Sequence, residues 1–496
     1  MAISQKLIAI ALTFVGRQVF LRVLSVEYLG LNGLIIEILG LLSLADMGLA
    51  TAMAYSFYKP LAEQDEKKLS ALTGFYKKIY NIIALAVATI GLLILPFFRQ
   101  IINIESEIPY IELYFLVMLA NTVVSYLFVY KTSLVTADQN RSIVLKYRIW
   151  CSILNSLLQI IILLTTGSFL LFCITNLVTT LTANFLISRK AEKMYPFLKQ
   201  KVKIDEADKR AVFQNVKSML VYKTSMLIIN GTDIIFISIL AGTAMVGKYT
   251  NYMLAVTNLN QLSFMGFAAL SASLGNLVAK EAPEKRLKIF KILQTASYWT
   301  SSFFLFCLFF LLDDFVMLWL GEEFVFDLMT KIMILLVFYM TISLYPVVAF
   351  REATGMYQKT KYLMVISAII KIVFTITFGL HFGLPGIIFA TLLAKLLTYV
   401  WYEPKILFRD YLGGSAFKYL VGNVLNFMML TVFISVTHFL LPWGESTGWM
   451  DWVFKGIVYA AVINAICLLR FYRTPEFKII LNKLGAMMKK EKNISA

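Results

Sequence analysis

The sequence predicts an all-α polytopic membrane protein of about fourteen transmembrane helices, arranged as two pseudo-symmetric six-helix lobes plus two carboxy-terminal helices. Three observations predict this class. The first is composition. Of 496 residues, 59% are hydrophobic and 15% charged, and the mean hydropathy is +0.76. A soluble chain carries about a quarter charged residues, so this one lacks the polar groups to cover itself in water. The second is a loop pattern that alternates in charge. The third is an internal repeat.

A span needs about 20 apolar residues. Segments of that kind fall, in order, at 3–24, 30–57, 75–97, 109–136, 147–166, 168–188, 218–241, 246–278, 287–312, 324–350, 360–380, 384–402, 418–441 and 449–470. The first runs past the length of a signal-peptide core and is expected to act as its own targeting segment. The second and eighth are long enough to tilt or to run beyond the bilayer. TTGS (165–168) and GLPG (383–386) mark tight turns between adjacent spans.

The loops fix the expected orientation. Basic loops fall at 59–68, 141–148, 189–210, 280–288, 351–361 and 403–410, with a basic tail from Arg470. Loops poor in Lys and Arg fall at 99–109, 241–248, 313–324 and 441–451. Roughly 38 of the 46 Lys and Arg lie on the first side, which places both termini in the cytoplasm. The net charge of +17 is then topological. Its basic residues sit in short loops between spans, so no nucleic-acid partner is expected.

The stretch GLATAMAYSFYKPLAEQDEKKLSALTGFYKKIY (48–80) aligns without a gap on GFAALSASLGNLVAKEAPEKRLKIFKILQTASY (266–298). Gly48 meets Gly266, Glu63 meets Glu281 and Tyr80 meets Tyr298. Both copies lie at the basic-loop end of the second span in their half. Each half holds an even number of spans, so the halves share an orientation and a pseudo-twofold axis along the membrane normal. The domains are therefore expected at 1–205 and 206–405, with the two extra helices and the tail at 406–496.

Charged residues inside spans are costly and tend to face a protein interior or a watery cavity. EILGLLSLADMGL (37–49) carries Glu37 and Asp46. Arg17 and Glu37 each lie roughly 10–11 Å below the same end of their helices, which suggests a pair. Asp46 is turned about 180° from Glu37 and needs another partner. Asp233 lies in the seventh span, Lys371 in the eleventh and Lys395 in the twelfth. Each cation reads either as a member of a structural ion pair or as lining for an anion such as a phosphate. Asn121, Tyr126, Asn155, Gln159, Asn230, Asn251, Tyr252, Asn258 and Asn260 either bind sugar hydroxyls or join helices.

No catalytic chemistry is visible. There is no H-E-x-x-H, Walker A or G-x-S-x-G pattern. Cys151, Cys173, Cys307 and Cys467 all sit in apolar stretches without paired spacing, so neither a disulfide nor a metal site is expected. No cofactor and no enzyme activity are expected. The tail 477–493 reads as a basic amphipathic helix on anionic lipid.

The segments YLGLNGL, LSLADMGL and YKPLAEQD within 19–80, NGTDIIFISILAGTAMVGKYTNYML (230–254), REATGM (351–356) and LLTYVWYEPKILFRDYLGGSAFKYL (396–420) resemble the Wzx-type oligosaccharide flippases of the MOP (multidrug/oligosaccharidyl-lipid/polysaccharide) exporter superfamily, polysaccharide biosynthesis proteins. The resemblance implies V-shaped, MATE-like lobes working by alternating access in a bacterial cytoplasmic membrane. It implies transport of an undecaprenyl-pyrophosphate-linked oligosaccharide to the outer leaflet for capsule or O-antigen-like polysaccharide, alongside polysaccharide assembly proteins. It also implies a cationic cavity, for which Arg17 is the best-matched residue, followed by Lys371 and Lys395. The acids Asp46 and Asp233 depart from a purely basic lining, and with Glu37 they read as proton- or sodium-coupling groups or as structural ones. Competing readings are a MATE-like drug or cation antiporter, a lipid II flippase, and a membrane-embedded polysaccharide polymerase or acyltransferase.

Overall fold

The computed structural model describes residues 2–43, 56–58, 60–102, 108–138, 140–200, 202–206, 221–222, 224–268 and 281–479, with a few isolated positions between and beyond them. Asp46, much of the second predicted span, most of 266–280 in the second repeat copy, and the tail beyond Leu481 lie outside the described residues.

The described segments are helical and fall into two compact units, residues 1–250 and 251–496. In the first unit, α1 (Ala2–Val23) and α2 (Val26–Leu42) are followed by α3 (Glu66–Ile94), α4 (Ile111–Tyr126), α5 (Val129–Ala137), α6 (Arg141–Thr166), α7 (Phe169–Met194) and α8 (Asp233–Ala241). Helix α9 (Thr243–Ala268) runs from the first unit into the second. The second unit continues with α10 (Pro283–Leu320), α11 (Leu328–Ser343), α12 (Tyr345–Thr354), α13 (Tyr357–Leu397), α14 (Tyr399–Leu407), α15 (Ala416–Leu440) and α16 (Trp449–Phe471).

Local chemistry sets several starts. Asp65 caps α3 by accepting from Lys68 N at 2.9 Å, and Asp327 caps α11 by accepting from Thr330 N at 3.0 Å. Each carboxylate satisfies a backbone donor that the first helical turn leaves free. Aromatic side chains fill both cores. Phe20 meets Phe169 edge-on at 5.9 Å, and Phe290 sits among Phe350, Phe408 and Tyr419 at 5.2–5.6 Å.

Eight helices are long and apolar enough to cross a membrane, or ten if each of two bent pairs is one span, counted among the described residues. The bent pairs are α4–α5, at 43°, and α11–α12, at 44°. They are the fourth predicted span of each half. The fifth and sixth spans of each half are joined on a glycine with positive φ, Gly167 at 61° and Gly383 at 60°. Only glycine adopts that region without strain. The two halves thus repeat a bend and a turn, as well as the sequence match at 48–80. The second of these turns breaks the 54-residue helical run Lys359–Leu412 into two arms.

Three helices expected to span fall short of the apolar criterion. Helix α1 carries Lys6, Arg17 and Arg22, α9 carries Lys248 and three asparagines, and only 17 residues of α2 are described. A second difference concerns 313–324, expected as a loop. Helix α10 continues through Asp313 and Asp314 to Leu320, because these acids find partners in the packed protein.

Large apolar side chains stand exposed in rows, among them Ile82, Leu85 and Leu93 on α3 and Phe417, Met428, Val432 and Phe439 on α15. Surfaces of this kind are tolerated against lipid and not in water. Helix α16 docks on α10 through Trp299, which donates to Asn464 Oδ1 at 2.9 Å, and Trp452, which donates to the Leu311 carbonyl at 3.0 Å.

Candidate functional site

The first unit contains a polar cavity of about 240 Å³ between α1, α2, α6 and α7. Its cation is Arg17, half-buried on α1. Polar residues from α6, namely Ser152, Asn155, Ser156 and Gln159, stand opposite, with Thr13 and Asn32 at the sides. The spacing explains the stripe: positions three and four apart share a helix face. Gly16 leaves room beside Arg17, since a Cβ there would touch only Ile160, at 3.7 Å.

The amides are held by a relay. Thr179 Oγ1 donates to Asn155 Oδ1 at 2.9 Å, Asn155 Nδ2 donates to Gln159 Oε1 at 3.2 Å, and Gln159 Nε2 donates to the Phe172 carbonyl at 3.3 Å. Each amide nitrogen carries two hydrogens and uses one here, which leaves donor capacity on both. Arg17 donates to Thr250 Oγ1 at a long 3.4 Å. Among the described residues, no carboxylate lines the cavity. A guanidinium with neutral amides and hydroxyls, and no competing acid, suits phosphate oxygens and sugar hydroxyls.

The expected Arg17–Glu37 pair does not form. Equal depth fixes height and leaves azimuth open. Asn32 faces the Arg17 cavity, and Glu37, five residues on, is turned about 140° from it. Glu37 instead approaches Gly231 on the segment leading into α8, where Asp233 and Tyr249 lie within electrostatic reach. Two acids share this neighbourhood, one buried and one half-buried.

Lys371 and Lys395 lie in the second unit, on the two arms of α13. Lys371 is fully buried and donates to Thr375 Oγ1 at 2.8 Å. Lys395 is also buried. Around them the arms are joined by Ser367, which donates to the Ala394 carbonyl at 3.3 Å, and Thr398, which donates to Ser367 Oγ at 2.9 Å. Both lysines occupy a packed hydroxyl-rich seam.

Further ionic sites in the second unit escaped the sequence reading. Lys331 bonds Asp313 at 2.5 Å, and Tyr252 donates to the same carboxylate at 3.0 Å. Arg351 and Glu403 form a buried pair at 3.1 Å. The Asp313-Asp314 doublet was a visible signal for the first, had the helix been carried past residue 312. No group of three or more metal-binding side chains occurs among the described residues.

The sequence matches no family model and no curated protein. The fold, in contrast, is shared with solved structures. A lipid II flippase, MurJ, in an inward closed conformation is similar at a TM-score of 0.63 and 16% identity, over 95% of this chain and 99% of that one. An inward-facing multidrug resistance MATE family transporter of the MOP superfamily is similar at 0.61 and 15%, over 82% and 98%. The MATE multidrug transporter DinF-BH is similar at 0.56 and 14%, over 82% and 95%. The chain therefore has an all-helical, MOP/MATE-like membrane fold, and these neighbours are transporters.

Proposed function

We propose that this protein is a flippase that moves an undecaprenyl-pyrophosphate-linked oligosaccharide from the cytoplasmic to the outer leaflet of a bacterial cytoplasmic membrane, by alternating access, for cell-surface polysaccharide assembly. The observation that carries the reading is the Arg17 cavity, a cation among amides and hydroxyls with no acid among the described residues of its lining. That chemistry favours an anionic, hydroxyl-rich substrate and opposes a cationic drug. The match to the lipid II flippase extends over nearly the whole chain, and the multidrug transporters leave a larger share uncovered. Lipid II is itself a sugar on the same class of anionic carrier, so it stands as the second reading.

The direction follows from electrostatics. A pyrophosphate diester carries about two negative charges, and outward movement across an inside-negative membrane gains roughly 2.3 kcal/mol per charge per 100 mV. Glu37 and Asp233 are our candidates for coupling a proton or sodium ion to the cycle. Transport whose pH and sodium dependence survived Asp233→Asn would remove that role.

The test is depletion of the protein in its native cells, followed by extraction and mass spectrometry of lipid-linked sugars. The proposal expects one complete, unpolymerised unit to accumulate on undecaprenyl pyrophosphate, sheltered on the inner leaflet. The same unit exposed outside would indicate a polymerase. Accumulated lipid II would favour the second reading, and unchanged lipid pools with new drug sensitivity would indicate an antiporter.

A further inference from the structure

A second cavity of about 240 Å³ opens in the first unit, bounded by α3, α5, α7 and the short helical turn Pro196–Lys199. Its lining is distinct from that of the Arg17 site and includes Ser70, Thr73, Lys77, Tyr130, Lys131 and Glu192. Lys131 is nearly buried, with 11% of its side chain exposed. Its ammonium is fixed by Ser188 Oγ at 2.6 Å and by the Glu192 carboxylate. Glu192 thus neutralises Lys131, and Lys77, exposed, leaves the cavity one positive charge in excess. The same helix carries Arg189, Lys190 and Lys193 beside Glu192, and a local excess of cations attracts anions.

The level of the cavity narrows the ligand. The span that begins at Glu66 has 32 residues, about 48 Å of helix, against a hydrocarbon core of about 30 Å. Its exposed apolar residues run from Ile82 to Phe97. Residues 70–77, with Lys77 and Lys78 exposed, precede that lipid-facing stretch and fall at headgroup depth.

We propose that this cavity binds the phosphate of a membrane headgroup or of a soluble phosphate ester, with Lys77 as its excess positive charge and the fixed ammonium of Lys131 as a hydrogen-bond donor. Gly74 forms part of the wall, and a Cβ there would meet no atom within 4 Å, so a larger side chain fills the cavity without forcing the backbone.

The test is native mass spectrometry on the delipidated full-length protein with dioleoyl phosphatidylglycerol, sn-glycerol 1-phosphate and dioleoylglycerol as probes. Binding of the phosphate-bearing probe is expected to weaken about tenfold in Lys77→Gln, the loss of one charge-assisted contact. Gly74→Leu should weaken it at least as much, and Lys78→Gln should leave it unchanged. Displacement of the phospholipid by glycerol phosphate would identify a soluble ester as the natural source, and no displacement would identify the lipid. Wild-type binding in both Lys77→Gln and Gly74→Leu, or equal binding of the phosphate-free dioleoylglycerol, would overturn the proposal. Thermal unfolding of each variant controls for folding.

Discussion

Glu37 packs against Gly231, two residues before Asp233 at the start of α8: a Cβ on Gly231 would stand 2.5 Å from Glu37 Oε1, which brings the Glu37 carboxylate into the electrostatic neighbourhood of Asp233. Like charges held near each other away from water repel. Removing one should relieve the other. Glu37→Gln is expected to raise stability by about 1 kcal/mol, and adding Asp233→Asn should give less than the sum of the two single effects. Thermal unfolding of the four proteins in one detergent forms the cycle. Strict additivity would show that the acids do not interact.

Gly231→Ala probes the same corner from the backbone. The new methyl group meets the far end of a flexible side chain, so Glu37 turns aside and the fold is retained. Transport should fall if the position of Glu37 matters to the cycle, with unfolding temperature nearly unchanged. Full transport would assign Glu37 to packing.

Gly30 presents the opposite case. A Cβ there would stand 1.8 Å from the Thr243 carbonyl oxygen, a backbone atom that cannot turn aside. Helices α2 and α9 cross this closely because their contact residues are small. Gly30→Ala should cost about 1–3 kcal/mol, the range for overpacking, and reduce the yield of folded protein. Gly40, on the same helix, has nothing within 4 Å of its Cβ direction, and Gly40→Ala should be neutral. Equal behaviour of the two variants in thermal unfolding and expression would refute the close crossing.

The buried pair Arg351–Glu403 joins α12 to α14, with side chains 6% and 2% exposed. Removing one partner breaks a buried ion pair, at a cost of about 3–5 kcal/mol, and removing both costs less. Arg351→Met and Glu403→Gln should each destabilise strongly, and the double variant should recover part of the loss.

The contrast between these sites shows what sequence can carry. Span positions follow from hydropathy because lipid imposes a length on every helix, and Gly383 was visible as a turn because its conformation demands glycine. Lys371 and Lys395 stand equidistant in sequence from that turn, so their placement on its two arms was legible from the hairpin alone. The approach of Glu37 to Asp233 was not. It depends on how α8 and α9 return to α2, a long-range arrangement with no local signature. The Arg17 cavity lies between these cases: the α6 stripe was present in the sequence as Asn155 and Gln159, and only packing shows that it faces α1.

Arg17 is the residue whose removal should separate function from folding. Its hydrogen bond to Thr250 is long, and no carboxylate among the described residues holds it, so little stability depends on it. Arg17→Gln should keep the unfolding temperature within about a degree, which for 496 residues corresponds to about 1 kcal/mol. Transport should fall at least tenfold, the cost of one lost charge-assisted contact. Arg17→Lys should recover part of it, since the charge returns and the planar fork does not. Gly16→Ala, which meets only ordinary contact with Ile160, should be tolerated, and Gly16→Leu should narrow the cavity and mimic the loss of Arg17. Complementation of the depleted strain, read as the amount of lipid-linked oligosaccharide that accumulates, ranks all four variants. If Arg17→Gln complements fully, the cavity is not the substrate site and the flippase reading loses its main structural support.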